Sequence, residues 1–315
     1  MPDAINRRNF LQLGLTAGAA AMLPRWMNAQ ATPAANVAAG PDQAATTPIK
    51  TTRLGDNLFL LQGVGGNMDL QTGAEGNVLI DASYAPAVPR IIEAIAAQSK
   101  AAPFVLINTH WHGDHTGGNE GLHAAGFTIV AHKNTRKRLS EPQSMKMFHR
   151  EVPPSPAGAL PTVTFDDAMQ LFHNNDALDL VHFAPAHTDT DIYVHFHKAD
   201  VIHLGDIWFN GIYPFIDEGT GGSIGGMIRA CDKALAVAGS NTKLIPGHGP
   251  LGAKAEFQKY REMLAAVRDN MAALKKAGAS EQEAVAKKPT VEFDAAWGKG
   301  FMSPDAFAGI VYRTL

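Results

Sequence analysis

From Lys50 onward the chain alternates between short apolar runs and polar, glycine-bearing breaks. Leu58-Phe59-Leu60-Leu61 and Asn77-Val78-Leu79-Ile80 are bounded by glycine and aspartate and predict strands. Between them, Gly63 to Gly66 marks tight turns. Val88, Ile91, Ile92, Ile95 and Ala96 recur at helical spacing. Pro86 and Pro89 stand at the start of that segment, where a helix tolerates proline. Phe104-Val105-Leu106-Ile107 predicts a buried strand. Residues 77–108 therefore form a strand–helix–strand unit, which favours parallel pairing.

Across Ser140–Thr162 the pattern lapses. Prolines and glycines without a sustained period predict a long surface loop, of the kind that covers an active site. Strands return at Leu178–Phe183, Ile192–Phe196 and Val201–Leu204. A helix is expected over Gly226–Ala238. Another spans Glu256–Leu274, with Phe257, Tyr260, Leu264, Val267, Met271 and Leu274 on one face. The tail from Ala279 predicts further helix packed on the body.

The composition narrows the function classes. Of 315 residues, 45% are apolar and 18% charged, which excludes a disordered or collagen-like chain. A net charge of −3, from 27 basic and 30 acidic residues, supplies no concentrated basic face, so no nucleic-acid partner is expected. The lone Cys231 excludes both a disulfide framework and a thiolate zinc finger. The 13 histidines are the unusual count, and any metal centre must be built from imidazole and carboxylate.

The N-terminus reads Asn6-Arg7-Arg8-Asn9-Phe10-Leu11-Gln12, followed by a small-residue apolar run from Leu13 to Leu23. That run is too short for a bilayer span, which needs about 20 apolar residues. Ala29-Gln30-Ala31 has the small-x-small form of a cleavage site. Residues 1–31 thus resemble a twin-arginine export signal, which implies a periplasmic destination. Residues 32–50, rich in Ala, Pro and Thr, read as a flexible leader. Residues 51–315 read as one domain with a helical C-terminal extension.

The chemistry concentrates directly after Phe104–Ile107, in Asn108-Thr109-His110-Trp111-His112-Gly113-Asp114-His115-Thr116-Gly117-Gly118-Asn119. His110 and His112 are two apart, so both imidazoles share a face in extended chain. Gly113 lets the backbone turn and aims Asp114 and His115 at a second position. The segment follows the C-terminal end of a strand, where α/β folds place their ligands.

The run His110-x-His112-x-Asp114-His115 resembles the signature of the metallo-β-lactamase superfamily. Pro185-Ala186-His187-Thr188, Leu204-Gly205-Asp206 and Pro246-Gly247-His248-Gly249 resemble its later motifs, in the family's order, so the likeness covers roughly residues 50–250. It implies an α/β fold, an αββα sandwich of two mixed β-sheets flanked by helices, with the metals at one edge. It also implies a dinuclear centre. His110, His112 and His187 would hold one ion, Asp114, His115 and His248 the other, and Asp206 would bridge them. Zn2+ is the expected metal, with Mn or Fe as alternatives. Asp114 would also serve catalysis by orienting a metal-bound hydroxide.

Asp206 stands where some zinc β-lactamases carry a cysteine ligand, and other lactamases lack the bridging carboxylate. Together, His115 and Asp206 resemble glyoxalase II and the phosphodiester and sulfatase relatives. The implied activity is hydrolysis of an ester, thioester or phosphoester in a small-molecule substrate. A β-lactamase and a non-catalytic metal-binding accessory protein are the alternatives. Flavodiiron relatives carry glutamate in place of His112, which disfavours oxygen reduction. Oligomeric state is not legible in the sequence.

Outside the motifs, Asp81 is expected to support a ligand, and His203 to sit either behind one or in the strand core. Trp111 is expected to turn into the wall. Trp208, Phe209, Tyr213 and Phe215 divide between pocket lining and core, and Met145, Met147 and Phe148 on the presumed lid between touching an apolar substrate and anchoring the loop. His195 and His197 share one strand face, expected to meet solvent, and a ligand role is the minor alternative.

Overall fold

In the computed structural model, residues 40–315 are described. The expected signal, 1–31, and the first part of the expected leader lie outside the described residues. From residue 40 the leader is ordered on the body. Pro41–Ala44 forms one helical turn, and Ala44 is buried in the core.

The first sheet is built from β1 (Lys50–Arg53), β2 (Leu58–Gln62), β3 (Met68–Gln71), β4 (Asn77–Ile80), β5 (Pro103–Ile107) and β6 (Thr128–His132). A hairpin of β7 (Gln143–Met145) and β8 (Arg150–Val152) leaves the sheet before β9 (Val163–Phe165) completes it. The second sheet contains β10 (Ala168–His173), β11 (Asp176–His182), β12 (Ile192–Phe196), β13 (Val201–His203), β14 (Lys243–Ile245) and β15 (Gly252–Ala253). Both sheets are mixed. β1 to β4 pair antiparallel, and β4, β5, β6 and β9 pair parallel. In the second sheet only β13 and β14 run parallel.

The two sheets face each other. Val78 and Ile80 of β4, Val105 and Ile107 of β5, and Leu58 and Leu60 of β2 meet Leu178, Leu180, Val194 and Phe196 of the second sheet. The alternate residues Leu79, Leu106, Phe59 and Leu61 point the other way, onto Ile91 and Ile95 of helix α1 (Val88–Gln98). Both faces are covered, so these strands read as continuous apolar runs rather than alternating ones. The outer face of the second sheet takes α2 (Ile224–Val237) and α3 (Lys254–Lys276), whose stripe Phe257, Tyr260, Leu264, Val267 and Met271 is fully buried. The order helix–sheet–sheet–helix is the expected αββα sandwich.

The C-terminal extension is part of this outer layer. Helix α4 (Glu281–Ala286) and helix α5 (Pro304–Arg313) insert Ala284, Phe307, Ile310 and Val311 into the same core as α2 and α3. The unpatterned segment 140–162 differs from expectation. Its Gln143–Val152 portion is a hairpin whose strands pair with each other alone. Strands of three residues are too short to show alternation, which is why periodicity missed them.

Candidate metal centre

All seven expected residues converge at one edge of the sandwich, each delivered by the end of a strand. β5 runs directly into His110 and His112. Next, Gly113–Thr116 winds a single helical turn that carries Asp114 and His115. His187 lies in the loop between β11 and β12, Asp206 follows β13, and His248 follows β14. Two backbone bonds hold the last two loops together, Gly247 N–H donating to Gly205 O at 2.7 Å and to Trp208 O at 3.1 Å. A side chain at Gly247 would collide with Asp206 Oδ1 and the Gly205 backbone, so this close approach requires glycine.

Two donor groups result: His110, His112, His187 and Asp206; and Asp114, His115 and His248. The donor atoms within each group lie within 4.8 Å of one another. Asp206 sits between the groups. Its Oδ2 is 3.7 Å from His110 Nε2, 3.4 Å from His187 Nε2 and 3.5 Å from His248 Nε2, and its Oδ1 is 3.2 Å from His115 Nε2. Asp114 Oδ2 lies 3.2 Å from His248 Nε2 and 3.7 Å from His115 Nε2.

The outer hydrogen bonds decide which ring nitrogen faces inward bare. His187 Nδ1–H donates to the Phe215 carbonyl at 2.8 Å, which leaves Nε2 as a lone pair. His115 Nδ1 donates to Asp81 at 2.7 Å, and His112 Nε2 donates to Asp217 at 3.1 Å. Thr109 spends its hydroxyl proton on Asp81, so its oxygen accepts from His110 Nδ1 at 3.0 Å. His110 Nε2 is then buried with no hydrogen-bond partner, while His112 Nδ1 and His187 Nε2 face each other at 2.9 Å. Inward lone pairs on imidazoles fixed from behind by carboxylate or carbonyl are the donor state a cation needs. The residues present therefore fit divalent metal ions.

Charge balance says the same. Burial works against charge on His248, yet Asp206 and Asp114 outweigh it and push its pKa up to about 9. His115 is likewise raised, against burial, by Asp206, Asp114 and Asp81. Burial holds His110 well below its usual value, helped by His115, and burial brings His187 down to about 4 against the pull of Asp206. Burial opposes ionisation of Asp206 and Asp114, but the surrounding imidazoles hold both well below the usual carboxylate range. Without metal, protons on His115 and His248 stand in for cations, so metal uptake releases protons. Because the His248 pKa is raised on folding, its stabilisation is full below about pH 6.5 and is lost as pH rises through about 9. Calorimetry on chelator-stripped protein should show the thermal midpoint falling across that window; a rising midpoint contradicts the assignment.

Sequence reasoning singled out Asp81, and the structure gives it a central supporting position. Its backbone has a left-handed φ of 60°, uncommon for a non-glycine residue and concentrated at functional sites. Its carboxylate accepts from Thr109 N–H, Thr109 Oγ1 and His115 Nδ1, each at 2.7 Å. Behind it, His203 Nε2 lies 3.8 Å away and His203 Nδ1 bonds Asp69 at 2.9 Å, so His203 backs the supporting carboxylate. Asp81→Ala would strand three buried donors and is expected to weaken divalent-metal affinity about 10–100-fold. Competition with a chromophoric chelator measures this, and unchanged affinity would remove Asp81 from the support.

Asp217 and Asp191 were missed. Asp217 fixes His112 and also accepts from Thr220 Oγ1 at 2.8 Å. Asp191 accepts from the backbone N–H groups of His187 and Thr188, both at 2.8 Å, and so pins the third-histidine loop. The Thr188-x-x-Asp191 spacing is a side-chain-capped turn that could have been read; Asp217 carried no spacing signal.

The centre opens into a cleft of about 520 Å³. Trp111 stands buried in the wall of that cleft, its ring centroid 4.7 Å from that of His112. Phe209 and Phe215 line it too, whereas Trp208 and Tyr213 are core. From the hairpin come Met145, Phe148 and Arg150, but not Met147.

Among solved structures, the fold is similar to a metallo-beta-lactamase from Pontibacter korlensis. The identity is 18%, the alignment covers 69% of this chain and 99% of that one, and the TM-score is 0.58. It is also similar to the stereoselective inverting sec-alkylsulfatase Pisa1 from Pseudomonas sp., at 16% identity over 88% of this chain and 52% of that one, with a TM-score of 0.64. The chain thus matches about half of the sulfatase's length. The DIM-1 metallo-beta-lactamase matches at 17% identity over 69% of this chain and 97% of that one, TM-score 0.54. At such identities the likeness is one of fold. The family model for the metallo-beta-lactamase superfamily matches residues 62–275, more than half of the chain. With that match on a helix–sheet–sheet–helix sandwich whose histidines and carboxylates meet at one edge, the chain belongs to the metallo-β-lactamase superfamily.

Proposed function

We propose that the protein is a dinuclear metal-dependent hydrolase of small-molecule esters, thioesters or phosphoesters. The observation that carries this reading is the Asp206 carboxylate, within 3.2–3.7 Å of imidazoles from both donor groups. His110, His112 and His187 would hold one ion, Asp114, His115 and His248 the other, and Asp206 both; imidazole with carboxylate suits Zn2+, and also Mn or Fe. Bound there, the ions supply Lewis acidity, lowering the pKa of water toward neutrality and polarising the substrate's oxygen.

The chain's own groups do the rest. Asp114 is the one member of the two groups that is partly exposed to the cleft. Its depressed pKa keeps the carboxylate ionised, so it can accept a hydrogen bond from a water in the cleft and orient it for attack. The aromatic walls, Trp111, Phe148, Phe209 and Phe215, exclude water and suit an apolar acyl, alkyl or aryl substituent. The sulfatase and lactamase neighbours mark the alternative leaving groups to test.

Elemental analysis of freshly purified protein, joined to a substrate panel, tests the reading. About two divalent ions per chain and turnover of an aryl ester, thioester or bis-aryl phosphodiester above nitrocefin are expected. Nitrocefin as the preferred substrate would shift the assignment to a β-lactamase. Metal content near zero after metal supplementation would sink it. For residues 1–31 we infer export: the twin-arginine route carries folded proteins, which suits a metal site formed on folding. Replacing Arg7 and Arg8 by lysine should then abolish periplasmic accumulation.

A further inference from the structure

We propose that Asp179, His195 and His197 form a separate, exchangeable site for a divalent transition metal on the outer face of the second sheet. Strand β12 carries His195, and His197 follows two residues on, so the two imidazoles share a face. Their rings are 4.2 Å apart. On the antiparallel neighbour β11, Asp179 is the cross-strand partner of His195. Its Oδ2 lies 2.7 Å from His197 Nε2. One strand further, Gln170 faces Asp179 and donates to its Oδ1 at 2.7 Å, which fixes the carboxylate plane and leaves Oδ2 toward the histidines. One donor atom from each of the three residues falls within 4.8 Å of the others.

An Asp179–His197 ion pair accounts for only part of this arrangement. His195 Nδ1 is buried with no hydrogen-bond partner, a cost that a bound cation would remove. Burial, and then the neighbouring His197, lower the His195 pKa and favour the neutral imidazole that ligates metals. Two imidazoles and one carboxylate select Zn2+, Cu2+ or Ni2+ over Mg2+ or Ca2+. Three protein donors on a partly exposed face leave positions for water, so the ion would exchange with solvent. The site is distinct from the buried centre. Asp191, beside His187, immediately precedes β12 at the edge holding the buried centre, and His197 lies six residues along, about 20 Å at roughly 3.3 Å per residue. Bound there, the ion would staple β11 to β12.

Equilibrium dialysis of chelator-stripped full-length protein against Zn2+ tests this, with wild type compared to a His195→Asn/His197→Asn double variant. The variant is expected to bind one equivalent fewer, with unchanged circular dichroism, and Mg2+ should give no difference between the two proteins. Equal Zn2+ stoichiometry in the two proteins would overturn the site. Asp179→Asn retains shape and should weaken that same equivalent by at least about tenfold, since even outer partners of a metal are worth 10–100-fold; unchanged affinity would overturn the three-donor arrangement. The readout is a difference in stoichiometry, so it stands whatever number of ions the buried centre holds.

Discussion

Asp206→Asn is expected to lower kcat/KM by about 10²–10³-fold, the scale on which one buried electrostatic stabiliser acts. The exchange keeps the shape of a side chain that is only 4% exposed, so packing is preserved. What it removes is the negative charge shared by His110, His115, His187 and His248, all within 3.2–3.7 Å. One carboxylate neutralises both halves of the centre, so its loss should cost the paired arrangement before it costs the fold. Metal content should fall from about two ions per chain toward one, with the circular dichroism spectrum unchanged. A variant that retains both its rate and its metal would show that Asp206 does not link the two groups.

Phe307→Ala is expected to destabilise the protein by about 3–5 kcal/mol, the usual cost of emptying an aromatic core position. Phe307 is completely buried and stacks on Tyr213 with ring centroids 4.7 Å apart. The Tyr213 hydroxyl donates to Asp294 Oδ1 at 2.8 Å, so the tail is tied to the segment that follows Asp206. At about 2–4 °C per kcal/mol for a chain of this size, the calorimetric midpoint should drop by roughly 10 °C. A drop below about 2 °C would mean that the C-terminal helices are dispensable to the core. Activity per folded molecule should fall as well, because the same tail supports the loop carrying Asp206.

The strands β4 and β5 and helix α1 were legible because a two-sided core demands unbroken apolar runs and an apolar helix face. The metal-site cluster was legible because His110, His112, Asp114 and His115 are packed into six consecutive residues. The roles of His187, Asp206 and His248 came only from resemblance; no spacing rule brings residues 77 to 138 positions away to the same point. Folding does so by stacking the ends of β5, β11, β13 and β14 along one edge. The supports Thr109, Asp191 and Asp217 are ordinary polar residues whose meaning exists only once their partners are adjacent.

The β7–β8 hairpin contributes Met145, Phe148 and Arg150 to the cleft while hydrogen-bonding as a sheet of its own. Under the proposed function, part of the substrate-facing wall then lies on a piece of polypeptide that carries none of the seven metal-site residues. On that reading, a transplanted or randomised hairpin should change which compounds the protein accepts while its reactive heart stays in place.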